Sequence, residues 1–193
     1  MSSGENSPND WSSWLPSVAH EVEDFLADTG WDQPPQLFAL VPTRDLVAAE
    51  PDLADRLPSV EGLTPVAQDP LDGEDLAETL TQICWPAEVT GCALAQEIVV
   101  LPPGAEAELD RAVAENVGSG ADTDELNQVA VRVAQQHPDR RDARLVVAVL
   151  RAGSFCCLLR LRGEGDQPDE LVEHPDLAPN MVSALLRTLD DED

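Results

Sequence analysis

Histidine, cysteine and arginine are the residue types in this chain whose placement could carry chemistry. His20-Glu21-Val22-Glu23-Asp24 opens like the HExxH helix that offers a zinc ion two imidazoles one turn apart. Asp24 stands where the second imidazole must be, so the segment reads as the solvated face of a helix. His137-Pro138-Asp139 and His174-Pro175-Asp176 repeat one tripeptide. The proline stops a helix there, and a local turn follows. The cysteines, at 84, 92, 156 and 157, have no CxxC spacing. Neighbouring Cys156 and Cys157 in a strand-like run point to opposite faces, which is poor disulfide geometry, so buried free thiols are expected.

Other chemistries fail on spacing or composition. No serine sits in a G-x-S-x-G elbow, and Gly118-Ser119-Gly120 reads as a flexible break. Gly163-Glu164-Gly165 lacks the third glycine of a dinucleotide fingerprint, and Asp122-Thr123-Asp124 does not continue as a calcium loop. All 11 basic residues are arginine. The lack of lysine excludes a Schiff base, a pyridoxal phosphate linkage and a P-loop. No cofactor and no metal are expected.

The arginines are clustered. Arg140, Arg141, Arg144, Arg151, Arg160 and Arg162 give the stretch 139–162 a charge of about +4 in a chain whose net charge is -27. Arg144, Arg151, Arg160 and Arg162 are therefore the candidate binding residues, at a strand rim, with Trp31 or Trp85 as an apolar wall. Such a rim suits a carboxylate or phosphate ligand, or an acidic partner segment. The competing reading is that these arginines offset the protein's own acids.

The elements that must position these residues follow from periodicity. Trp11, Trp14, Leu15, Val18, Val22, Phe25 and Leu26 form one face of a helix that stops at Gly30, with His20, Glu21, Glu23, Asp24 and Asp28 opposite. Leu37–Val41 reads as a short buried strand, Thr64–Gln68 as an edge strand, and 72–84 as a helix stopped by Pro86. Val89–Leu101 is the longest strand. Residues 105–121 read as a flexible loop, and Asp122 with Glu125 caps a helix reaching His137. Arg144–Arg151 and Ser154–Arg162 pair as a hairpin through a two-residue Ala152-Gly153 turn. In that register Leu145, Val147 and Val149 share a face with Cys156 and Leu158. Both faces of the hairpin are apolar, which places it centrally in the sheet or covered on each side. A last helix runs from Pro179 to Leu189. The expected fold is α+β, a single domain over 11–189 with an antiparallel or mixed sheet covered by helices. Residues 1–10 are expected as a disordered leader and 190–193 as an acidic tail.

Composition bounds the function. With 193 residues and 42% hydrophobic content a real core is expected. Thirty-eight acidic residues repel phosphate backbones, and 4% aromatics give no row of stacking platforms, so nucleic-acid binding is disfavoured. The opening residues have no basic and apolar secretory pattern, and no apolar run reaches membrane length, so a cytoplasmic protein without membrane contact is expected.

Gly30-Trp31-Asp32-Gln33-Pro34-Pro35, Leu37-Phe38-Ala39-Leu40-Val41-Pro42-Thr43, Trp85-Pro86 ahead of Gly91-Cys92-Ala93, Val100-Leu101-Pro102-Pro103, and His137-Pro138-Asp139-Arg140 before Arg144-Leu145-Val146-Val147 together resemble a family of small acidic actinobacterial proteins of unassigned function. The resemblance runs over about residues 15–189. It implies one α+β domain and assigns no site residues. The function expected is a non-enzymatic interaction or anionic-ligand-binding module, for a protein partner or a small anion. The alternative is an enzyme of unrecognised type that uses carboxylates and arginine.

Overall fold

A computed structural model describes residues 11–190 apart from 58, 70, 72–75, 103 and 118–122. The expected leader, the Gly118–Gly120 break, the Asp122 cap and most of the acidic tail lie outside the described residues.

A 3-10 turn over Ser12–Trp14 leads into α1, Leu15–Thr29. Pro16 sits in its first turn, where its missing N–H costs nothing, and Gly30 ends it. Leu15, Val18, Ala19, Val22 and Leu26 make its buried stripe. Two residues depart from the expected faces: Glu23 is fully buried, while Phe25 is 51% exposed. They flank the stripe on opposite sides at nearly equal angles, so periodicity alone does not tell which flank turns inward.

Next come β1 (Gln36–Pro42), α2 (Thr43–Ala49), β2 (Leu63–Ala67), α3 (Leu76–Thr81) and β3 (Gly91–Val100). The Thr43 hydroxyl does not cap α2; it bonds the Thr64 hydroxyl at 2.9 Å, tying α2 to β2. After β3 follow α4 (Glu106–Val117), α5 (Thr123–Gln136), β4 (Arg141–Leu150), β5 (Phe155–Leu161), β6 (Glu170–Glu173) and α6 (Pro179–Leu189). The six strands form one open antiparallel sheet in the order β2-β1-β3-β4-β5-β6, an α+β fold as expected. β4 lies inside the sheet and is buried along most of its length, which matches its two-sided apolar pattern.

Three expectations need correction. The Ala- and Glu-rich stretch read as loop contains α4, because those residues are strong helix formers. β6 was not foreseen: four residues with acids at both ends are too short a pattern to stand out from a loop. The hairpin register is the third. Gly153 N–H donates to Leu150 O and Leu150 N–H donates to Ser154 O, both at 2.8 Å. The loop is thus Arg151-Ala152-Gly153, three residues with Gly153 at φ 89. One extra loop residue slips the register by one and exchanges the faces. Val146, Ala148 and Leu150 therefore share a face with Cys156 and Leu158.

The described chain forms two compact units. The first comprises the described residues within Met1–Gln96, Leu145–Leu159 and Leu171–Asp193; the second comprises those within Glu97–Arg144 and Arg160–Glu170. In the first unit, α1 packs on one sheet face against Phe38, Leu40, Ala93, Ala95, Val146, Ala148 and Leu158. On the other face, Cys92 of β3 meets α6, its thiol 3.9 Å from Leu185 O and 3.7 Å from the Thr188 hydroxyl. In the second unit, α4 and α5 pack on each other.

Candidate functional site

The structure disperses the arginines that the sequence groups. Arg144 is 2% exposed, not at a rim, and donates to Glu97 at 3.2 Å. Arg160 pairs with Asp169 at 3.9 Å. Asp142 stands between Arg162 and Arg140, at 3.8 Å from each. Arg141 pairs with Glu170 at 3.7 Å. Glu97, Asp169 and Glu170 come from outside the arginine-rich segment, so folding offsets most of its charge excess.

Arg151 is used differently. Its guanidinium donates to the backbone carbonyls of Val89, Trp85, Pro86 and Leu189. It therefore clamps the 85–89 segment to the end of α6, where a cation also suits the helix dipole. Trp85 is buried, and its indole N–H donates to the Thr188 hydroxyl at 3.0 Å. Arg151 and Trp85 are the two candidate residues brought together, as clamp and wall. Trp31 is half-buried in the connector between α1 and β1.

The wall borders a groove. Leu37, Ala39 and Val41 of β1 alternate away from α1, and Val66 pairs beside Ala39 on the same face. Together with Ile83, Trp85 and their neighbours they line a cavity of about 660 Å³, with Gln68, Asp69, Gln82 and Cys84 as polar or reactive groups at its edge. This volume is in the range that takes a small organic ligand. Leu37–Leu40 are buried, as expected of this strand, and the groove that Leu37 and Ala39 line together with partly exposed Val41 is not foreseen by that pattern. The signal in the sequence is the edge strand at 64–68, beside which the 82–89 segment covers this face of β1.

Burial sets the reactivity of the thiols. Cys92 is pushed up to about 12, first by desolvation and against the opposing pull of Thr188, Trp85 and Arg151. Cys156 is also pushed up to about 12, by burial and then by the Glu173 carboxylate. Burial raises Cys157 as well. These three are held protonated and unreactive at neutral pH. All four cysteines are free, but Cys84 is exposed at the groove, unlike the buried thiol expected.

Among the described residues no group of three or more His, Cys, Asp and Glu is placed to hold a metal, and no helix is long and apolar enough to cross a membrane. His20 lies 3.5 Å from Glu173. In both His-Pro-Asp turns the imidazole Nδ1 accepts the aspartate's backbone N–H, at 3.1 Å for Asp139 and 3.2 Å for Asp176. The repeated tripeptide thus closes a local turn in both places.

An open antiparallel sheet flanked by helices, with a groove where its β1–β2 end is thinly covered, defines the class as an α+β protein. Within it, the chain belongs to the PPA1309-like protein family, an uncharacterised family whose pattern it matches over residues 15–190. No curated protein and no solved structure matches the chain.

Proposed function

We propose that this protein is a non-enzymatic binding module of an actinobacterial cytoplasm, and that the groove walled by Trp85 receives its ligand. The observation that carries the reading is the groove's size and lining: about 660 Å³, floored by Leu37, Ala39 and Val41, with amides and one carboxylate at its edge. The fitting occupant is a small molecule with an apolar body and a hydrogen-bonding or cationic end for Gln68, Gln82 and Asp69. The actinobacterial and cytoplasmic parts rest on composition, namely basic residues that are all arginine and four unpaired thiols.

A second reading keeps the anionic ligand or acidic partner. It is favoured by Arg160 and Arg162, which stay partly exposed at 20% and 41% with long ion pairs of 3.9 and 3.8 Å. Thermal shift with a panel of small aromatic amides and amines separates the two. Compounds that stabilise the wild type but not Val66→Trp, which fills the groove, support the first reading. Small anions whose effect is lost in the Arg160→Gln/Arg162→Gln protein and kept in Val66→Trp would replace it with the second.

A further inference from the structure

Among the described residues β2 is the last strand on its side of the sheet, and its register fixes which backbone groups face outward. Gln68 N–H donates to Leu37 O and Thr43 N–H donates to Gly62 O. Thr64 and Val66 therefore belong to the hydrogen-bonded pairs with β1, while Leu63, Pro65 and Ala67 turn their backbone groups away from it. Pro65 has no N–H to offer there, which suits an edge and stops a long strand from adding. Ala67 keeps both its N–H and its C=O at the edge.

The side chains of Pro65 and Ala67 point to the α1 face. With Glu21, Val22, Phe25 and Phe38 they line a cavity of about 110 Å³, room for one side chain. Phe25 is 51% exposed, its ring edge-on to Phe38 at 6.2 Å. Glu21 stands at the mouth, and partial burial raises its carboxyl above the ordinary value.

We propose that this edge docks a short, extended, arginine-bearing segment of a basic partner protein. A residue laid antiparallel opposite Ala67 exchanges two backbone hydrogen bonds with it. Its side chain then falls on the same face as Ala67, directly over the cavity. An arginine in that place lays its stem on Pro65 and Phe38, its guanidinium plane against the open face of Phe25, and its charge beside Glu21. The net charge of -27 draws a basic segment in and repels a second copy of this chain. The site lies on the α1 face of the β1–β2 pair and stands whether or not the groove on the other face binds a ligand.

The test is an amide NMR titration of the whole protein with the blocked pentapeptide acetyl-Thr-Val-Arg-Val-Thr-amide, and with the same peptide carrying citrulline for arginine. The expected result is saturable movement of the Ala67 resonance. Affinity should fall about tenfold or more with citrulline, and likewise in Glu21→Gln and in Phe25→Ala. Both substituted side chains are exposed, so these variants retain the fold. An Ala67 amide unmoved at millimolar peptide, or equal affinity in wild type and Glu21→Gln, overturns the proposal. So does movement spread evenly over the acidic residues.

Discussion

Arginines 144 and 160 look equivalent along the sequence and differ completely in the fold. Arg144 is 2% exposed against Glu97, whereas the Arg160–Asp169 pair is partly solvated. Arg144 is desolvated although its partner Glu97 is 22% exposed, so Arg144→Gln, which removes a charge-assisted hydrogen bond, should cost about 2 kcal/mol, while Arg160→Gln should cost under about 1 kcal/mol. Urea unfolding of the two variants measures the contrast, and equal losses would contradict the burial of Arg144. The thiols make a second residue-scale prediction. An unfolded chain releases thiol protons above the ordinary value of 9.0, whereas folded Cys92 and Cys156 keep theirs up to about 12. Above that ordinary value the unfolded state binds fewer protons, so stability should be full below it and fall as pH rises through the window. Urea midpoints from about pH 8 to about pH 10.5 should decline, less steeply in Cys156→Ala. A midpoint flat over that range, or an equal slope in the variant, counts against the assignment. At this scale the sequence could name the arginines but not their partners, because Glu97 and Asp169 reach them only through strand pairing.

The elements were largely legible. The α1 stripe, the long β3 strand, the edge strand near Thr64–Gln68, the central hairpin and the terminal helix each carry a periodic pattern long enough to read, closed by proline or glycine. What failed did so where one residue decides the outcome. Whether a hairpin loop holds two residues or three depends on the hydrogen bonds that close it, and Arg151-Ala152-Gly153-Ser154 permits either count. With Gly153 at φ 89, Gly153→Ala should destabilise the protein by about 1–2 kcal/mol. An unchanged urea midpoint would contradict a left-handed Gly153. The groove escaped notice for a related reason. Alternation shows that β1 is apolar on both faces, but only the sheet order shows that β2, at the edge, leaves the face opposite α1 to be covered by the 82–89 segment.

At the scale of the whole molecule, charge and cover set the behaviour. A net charge of -27 opposes compaction by self-repulsion, and salt screens it. The melting temperature should therefore rise from ~0.02 M to ~0.5 M sodium chloride, and a flat or falling curve would mean that ion pairs such as Arg160–Asp169 outweigh the repulsion. Apart from the buried Glu23, the interior is aliphatic: α1 covers one sheet face and α6 the other, with Trp85 held at the margin by Arg151. The proposed ligand groove lies at that margin. The most direct measurement is native mass spectrometry of the protein taken gently from its own host, wild type beside Val66→Trp. One small-molecule mass is expected on the wild type and none on the variant. A bare wild-type chain, or an adduct that survives Val66→Trp, would contradict the groove as the binding site.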